Sequence, residues 1–270
     1  MVALLNFSHA PPRPVPSSPR PHGCSSNERT STHRPAGHTL LVCALLVMSR
    51  AAAAAAAAAR LKIGCIGVGM VGGPLSAQWS AAGHSVFVSS RNPDTLEAPP
   101  GGSKGTVLEA VQFADIVLLA IPFSSVPHLP QDVKDALDGK IVLDANNCWP
   151  GREGQAAAEA LASGKGSGVW TAGQLPGARI VKAFNTWPFF RMRIDRGAAN
   201  QPAVPLASDD EEAMAVAQQL VVDAGLEAVV VPGGLEAARV FDVETPAGPN
   251  SGLAKADLVR VLGLDGGGEM

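Results

Sequence analysis

The residues of this chain with the types and spacing to hold a ligand begin at Gly67-Val68-Gly69-Met70-Val71-Gly72, a G-x-G-x-x-G run. Each glycine there has its own mechanical use. Gly67 allows a tight turn, Gly69 lets backbone approach a diphosphate, and Gly72 lets a helix pack closely against a sheet. The unpaired N–H groups and positive dipole end of such a helix would hold the diphosphate. About 20 residues further on stand Ser89, Ser90 and Arg91, where the same arrangement often carries an acidic residue for a ribose 2′-hydroxyl. The next carboxylate here is Asp94. Two hydroxyls and a guanidinium suit a 2′-phosphate, which they would hold by charge-assisted hydrogen bonds. The expected dinucleotide is therefore NADP.

These residues need elements to position them, and the surrounding pattern supplies them. A short apolar run over 62–66 precedes the first glycine. An alanine-rich helical stretch follows, and then the β-branched run at 86–88. Strand, glycine turn, helix, strand is the setting in which the glycine motif becomes a dinucleotide fingerprint. Residues 93–105 are rich in Pro and Gly and read as loop. Further strands are expected over 115–121, 140–144, 179–184, 203–207 and 226–231. Helices are expected over 106–113, 131–137 and 156–162, then one capped by Ser208 that runs through Val221 to Gly225, and another opens at 234. Strands alternating with helices give βαβ units, hence an α/β fold with a doubly wound, mainly parallel sheet of the Rossmann type. Ligands of such sheets bind beyond the carboxyl ends of the strands. That directs attention to Ile121, Pro122, Phe123, Asn146 and Asn185, none of which is a general acid or base. His84, at the opposite end of the sheet, reads as a structural partner of a helix C-terminus.

Composition divides the chain. Residues 1–60 contain arginine but no lysine, a single acid in Glu28, and much Pro, Ser, Thr and His. That is the composition of an organelle transit peptide, with chloroplast favoured over mitochondrion and a secretory or thylakoid-directed route left open. The leader is expected to be disordered, and two nine-residue stretches near its end, 40–48 and 51–59, are too short and too interrupted for stable membrane insertion. The leader's arginines leave the remainder more acidic than the whole chain, whose net charge is −3. An acidic body argues against nucleic acid as a partner. The four cysteines form neither a metal spacing nor a disulfide framework. The expected organisation is a leader (1–60), a nucleotide-binding oxidoreductase domain (61–243) and an irregular tail (244–270) in which only 254–262 keeps a periodic pattern.

Taken in order, several blocks resemble the NADP oxidoreductases that depend on coenzyme F420, a deazaflavin. They are the fingerprint at 67–72, Ala82-Gly83-His84, Ser90-Arg91, the run 114–122, Asp144-Ala145-Asn146, the run 181–186 and the block 234–239. The resemblance implies a hydride passed directly between the nicotinamide and a stacked deazaflavin or flavin, without a protein acid or base. It implies Ser90 and Arg91 on the 2′-phosphate, and Pro122, Phe123, Asn146 and Asn185 lining the pocket shared with a small-molecule acceptor. It also implies a homodimer. The chain departs from the family pattern at Met70, over 187–193, and after Phe241, where a long C-terminal helix would stand. The runner-up resemblances are pyrroline-5-carboxylate reductases and β-hydroxyacid dehydrogenases. The latter use a Lys and an Asn three or four residues apart, as Lys182 and Asn185 are, though strand alternation would send those two to opposite faces. An NADP(H)-binding sensor or partner module is the non-enzymatic reading.

Overall fold

The structure, a computed structural model, describes residues 60–191 and 201–265. The expected leader, apart from Arg60, and the unusual pair Met192-Arg193 lie outside the described residues. The main sheet has six parallel strands: β1 (Lys62–Ile66), β2 (Ser85–Ser89), β3 (Ser103–Gly105), β4 (Ile116–Leu119), β5 (Ile141–Asp144) and β6 (Arg179–Lys182). Their spatial order is β3-β2-β1-β4-β5-β6, the doubly wound order that reverses direction between β1 and β4. Alternation along each strand feeds two cores. Ile63 and Cys65 of β1, Ile116 and Leu118 of β4, and Leu143 of β5 face one side. Ile66, Val117, Leu119 and Val142 face the other.

The first core is covered by helix α1 (Gly72–Ala81), the second by α2 (Val107–Phe113) and α3 (Gln131–Ala136). Thr106 starts α2 with a reciprocal capping box to Glu109, and that double hydrogen bonding holds the Glu109 carboxyl below its ordinary range. Two further helices, α4 (Pro150–Ala162) and α5 (Ser167–Gln174), carry the chain from β5 to β6. Gly154, at φ 55°, breaks α4 after its first turn and so sets Arg152 and Glu153 apart from the rest of the helix.

Beyond β6, β7 (Ala203–Leu206) and β8 (Glu227–Val230) form a separate parallel pair, joined by α6 (Glu211–Asp223). The cap of α6 is Asp210, whose carboxylate accepts the Ala213 N–H, and not Ser208. Ser208 instead donates to the Ile180 carbonyl and accepts the Asp210 N–H. The expected helix at 234 is a 3₁₀ turn, Leu235–Phe241.

The segment read as loop holds a strand, β3, which extends the sheet edge, and the stretch after the helix expected at 156–162 holds α5, which follows Gly166. In the tail, residues 244–265, the helix falls on the periodic stretch, and the segment before it is packed as well. That helix is α7 (Lys255–Val261), Ala247 and Leu258 are buried, and Ala203 N–H donates to the Leu253 carbonyl at 2.8 Å. Among the described residues no helix is long and apolar enough to cross a membrane.

Candidate functional site

At the end of β1 the glycine run makes the turn its spacing predicts. Gly67 has φ 93°, and its N–H donates to the Ser89 carbonyl at 3.1 Å, tying the turn to the end of β2. A side chain on Gly67 would run into the Ala120 carbonyl, and one on Gly72 into the Gly67 carbonyl, so the helix packs as closely as backbone allows. At Gly69 an added Cβ would meet no protein atom within 4 Å. The space above it is open for a ligand. The first closed turn of α1 is Gly73 N–H to Gly69 O at 3.0 Å, so the amides just before Gly73 have no intrahelical acceptor. Val71, the N-cap, offers no side-chain acceptor, and the first turn holds no acidic residue. Those amides and the dipole behind them suit an anion. Val68 packs its side chain on the core and contributes backbone only.

At the end of β2 the three predicted residues separate. Ser89 is fully buried, and its hydroxyl donates to the Cys65 carbonyl at 2.8 Å, so it is corrected out of the 2′-phosphate set. Strand alternation turns it into the sheet. Ser90 is half-buried, its hydroxyl accepting the Asn92 N–H at 3.1 Å, and Arg91 is exposed. Lys104, on the neighbouring β3, donates to the Asp94 and Leu96 carbonyls and braces the loop after Arg91. It escaped notice because the short, polar β3 was not seen in the sequence.

A cleft of about 630 Å³ opens where the sheet reverses direction. Met70 and Val71 form its side nearest the fingerprint, and Ile121, Pro122 and Phe123 follow β4 into it. Asn146, Asn185 and Phe184 close its floor, while Trp149, Arg152, Glu153, Trp187 and Asn250 add walls that sequence reasoning missed. The walls come from α4 and from the segments after β6 and β8, which a search of strand ends passes over. Trp187 is the exception, since it lies beside Asn185 and its indole is an obvious ring platform. Phe184 sits at φ 63°, a left-handed conformation rare for an aromatic residue, and is fully buried. Such strain concentrates where surrounding structure forces it, often at binding sites.

The two asparagines have fixed amide orientations. Asn146 Oδ1 accepts the Ile121 N–H at 3.1 Å, a contact only the oxygen can make, and this leaves its Nδ2 without a partner. Asn185 Nδ2 donates to the Phe241 carbonyl at 3.1 Å, which leaves its Oδ1 unpartnered. Trp187 Nε1 is a third buried polar atom without a hydrogen bond. Buried polar groups are nearly always satisfied, so these three beside one cleft call for a ligand or water. One donor and one acceptor on neighbouring amides match a primary carboxamide.

Below the floor, Lys182 and Asp144 form an ion pair at 3.1 Å, both side chains fully buried. Lys182 Nζ also donates to the Asn146 carbonyl at 2.6 Å, and Asp144 Oδ1 accepts the Asn146 N–H at 3.0 Å. The expectation that alternation would part Lys182 from Asn185 is corrected. β6 ends at Lys182 and the left-handed Phe184 breaks the alternation, so both residues serve the same corner of the cleft. Lys182 lies beneath that corner and does not line it.

Two charged groups line the cleft. Burial works to raise the Glu153 carboxyl. The Ser124 N–H, the Arg152 guanidinium and the Ser124 hydroxyl outweigh it and hold the group below its ordinary value. Cys148 lies behind the floor, its thiol pushed up to about 12 by burial and then by the Asp242 charge. Cys65, inside β1, is raised to about 12 by burial alone. At the far end of the sheet His84 Nε2 meets Asp223 at 2.9 Å and its Nδ1 accepts the Leu61 N–H, the structural role expected of it. Among the described residues no group of three or more His, Cys, Asp or Glu is placed to hold a metal ion.

With this geometry in view, the likenesses to known proteins fall into place. Residues 62–148 match the family described as NADP oxidoreductase, coenzyme F420-dependent. The F420-dependent NADP reductase of Methanothermobacter marburgensis is 26% identical over 197 residues, covering 67% of this chain and 87% of that protein. Two solved structures superpose with a TM-score of 0.58 each. One is a candidate F420-dependent NADP reductase from an Arthrobacter species, 22% identical over 66% of this chain and 87% of that one. The other is a hypothetical protein from Sinorhizobium meliloti, 25% identical over 72% and 94%. The chain thus resembles the F420-dependent NADP oxidoreductases, as its sequence blocks led one to expect.

Proposed function

We propose that this relative of the F420-dependent NADP oxidoreductases is itself an NADP-dependent oxidoreductase, which passes a hydride between NADPH and a deazaflavin or flavin acceptor. The observation that carries the reading is the continuity of two half-sites. An amide-rich helix start with open space above Gly69 runs directly into a cleft lined by Asn146 and Asn185, which hold a buried carboxamide N–H and a buried carboxamide oxygen without partners. The residues present therefore fit the dinucleotide at both ends. The N-terminal amides of α1 would hold the diphosphate, Ser90 and Arg91 the 2′-phosphate, and Asn146 Nδ2 with Asn185 Oδ1 the nicotinamide carboxamide.

When bound, the reduced nicotinamide supplies two electrons and one hydrogen as a hydride. The chain's own residues orient and shield. Asn146 and Asn185 would fix the rotation of a planar ring about its carboxamide. Met70, Ile121 and Pro122 present apolar surface that would displace water, and positioning of this kind lowers a barrier without proton transfer by the protein. Glu153, the one carboxylate among the cleft-lining residues, is committed to Ser124 and Arg152 and is held in its ionised form, so it is a poor proton donor at neutral pH. That supports transfer between rings without a protein acid.

The test is loss of reduced-nicotinamide absorbance when NADPH is mixed with the protein and either F420 or FMN. Turnover with either acceptor is the expected result. Tight NADPH binding with no turnover on any deazaflavin or flavin would overturn the enzyme reading and leave a nucleotide-binding module.

A further inference from the structure

We propose that Lys182 and Asp144 are positioning residues of the cleft, a buried ion pair whose task is to aim the Asn146 amide. This rests on the reading of the cleft as the nicotinamide end of an NADP site. Three of Asn146's polar groups are tied down: its carbonyl by Lys182 Nζ, its N–H by Asp144 Oδ1, and its Oδ1 by the Ile121 N–H. The Nδ2 is the group left over, buried and without a partner. Its direction is set by the other three.

Stability gives little reason for this pair. Two charges removed from water lose about as much in desolvation as they gain from each other, and apolar residues of similar volume often do as well or better. Replacing both charges should therefore leave a folded protein, short of the two Asn146 backbone hydrogen bonds but free of a stranded charge, and still release Asn146, which separates aiming from mere support. A purely structural pair would predict that activity returns with stability.

The experiment compares wild type, K182M, K182M/D144L and N146A by thermal midpoint, affinity for 2′,5′-ADP, fluorescence of bound NADPH, and kcat/KM for NADPH with FMN. The fragment 2′,5′-ADP probes the phosphate end without entering the cleft. K182M, which strands a buried carboxylate, should melt lowest. K182M/D144L should regain most of the midpoint and bind 2′,5′-ADP like wild type. It should also lose the nicotinamide fluorescence change and about 10- to 100-fold in kcat/KM, the scale of a mispositioned reactant. N146A should show the same loss, and adding it to K182M/D144L should cost nothing more.

A folded K182M/D144L with wild-type kcat/KM and fluorescence would overturn the proposal. Should that variant not fold, K182M/D144N removes both charges and the donor to the Asn146 carbonyl while preserving an acceptor for the Asn146 N–H, and wild-type kcat/KM and fluorescence in K182M/D144N overturn it equally. A wild type that binds neither 2′,5′-ADP nor NADPH sinks the NADP reading itself, and the aiming role with it.

Discussion

Between Gly67 and Gly72 the chain makes a ligand cradle from consecutive residues, whereas the adjoining cleft gathers side chains from Met70 to Asn250. The cradle works through backbone: N–H groups, a helix dipole, and the absence of Cβ atoms where they would collide. The cleft works through side chains whose direction is imposed by buried neighbours, some of them charged. The first kind of site depends on local geometry and tolerates any ligand with a phosphate. The second depends on the whole fold and can discriminate one flat ring from another. Substitutions in the two regions should therefore fail differently.

The largest effect is expected at Gly72. Its Cβ would collide with the Gly67 carbonyl, and overpacking of backbone costs about 3 kcal/mol. G72V should abolish binding of 2′,5′-ADP and NADPH together, as measured by calorimetry; if only NADPH suffers, the phosphate end is wrongly placed. Next comes R91D, which exchanges a charge-assisted contact for repulsion. It should cost about 2 kcal/mol of NADPH affinity and narrow the preference over NADH. An unchanged preference would remove Arg91 from the site. N185A should cost about 1–2 kcal/mol in kcat/KM and leave 2′,5′-ADP binding intact, the reverse of G72V.

Away from both regions, D210A removes the cap of α6 and the partner of Arg179, worth about 1 kcal/mol, with no effect on ligands. The Asp210 carboxyl is lowered from 3.8 to about 2, first by the Arg179 guanidinium and then by the Ala213 N–H. A lowered carboxyl stabilises the fold fully above its unfolded value and loses that contribution as pH falls from 3.8 towards 2. The side chain is 31% exposed, so screening keeps the effect small. D210A should therefore lower the urea midpoint at about pH 7 by more than at about pH 3, because wild type has already lost part of the contribution at the lower pH. The smallest effect on ligands belongs to S89A. Its hydroxyl is spent on the Cys65 carbonyl, so the NADPH-over-NADH preference should not move. A shift would reinstate Ser89 at the phosphate.

This contrast also explains which parts were legible in the sequence. The glycine turn, β1, β2, β4 and β5 announce themselves through local pattern, because apolar runs buried on both faces can be little else. β3 did not, since Ser103-Lys104-Gly105 has no β-branched residue and owes its extended form to pairing with β2. α5 was obscured by the glycines before it. Ser208 is a good cap by residue type, yet the Ile180 carbonyl takes its hydroxyl and the task passes to Asp210. Asn146 and Asn185 could be found as strand-end residues. Their orientation could not, because it is settled by Ile121 and Phe241 in distant segments. The buried Lys182–Asp144 pair was invisible for the same reason, and alternation misled where β6 stops at Lys182.

One contact links the local cradle to the global fold. Trp79 on α1 is fully buried, donates its indole N–H to the Leu220 carbonyl on α6 at 2.8 Å, and meets the Phe184 ring edge-on at 5.7 Å. The helix that starts at the fingerprint is thus sealed by residues made long after it. During synthesis the Trp79 indole N–H has no Leu220 carbonyl to donate to until α6 has been made. The most recognisable motif of the chain is consequently among the last parts able to complete its packing.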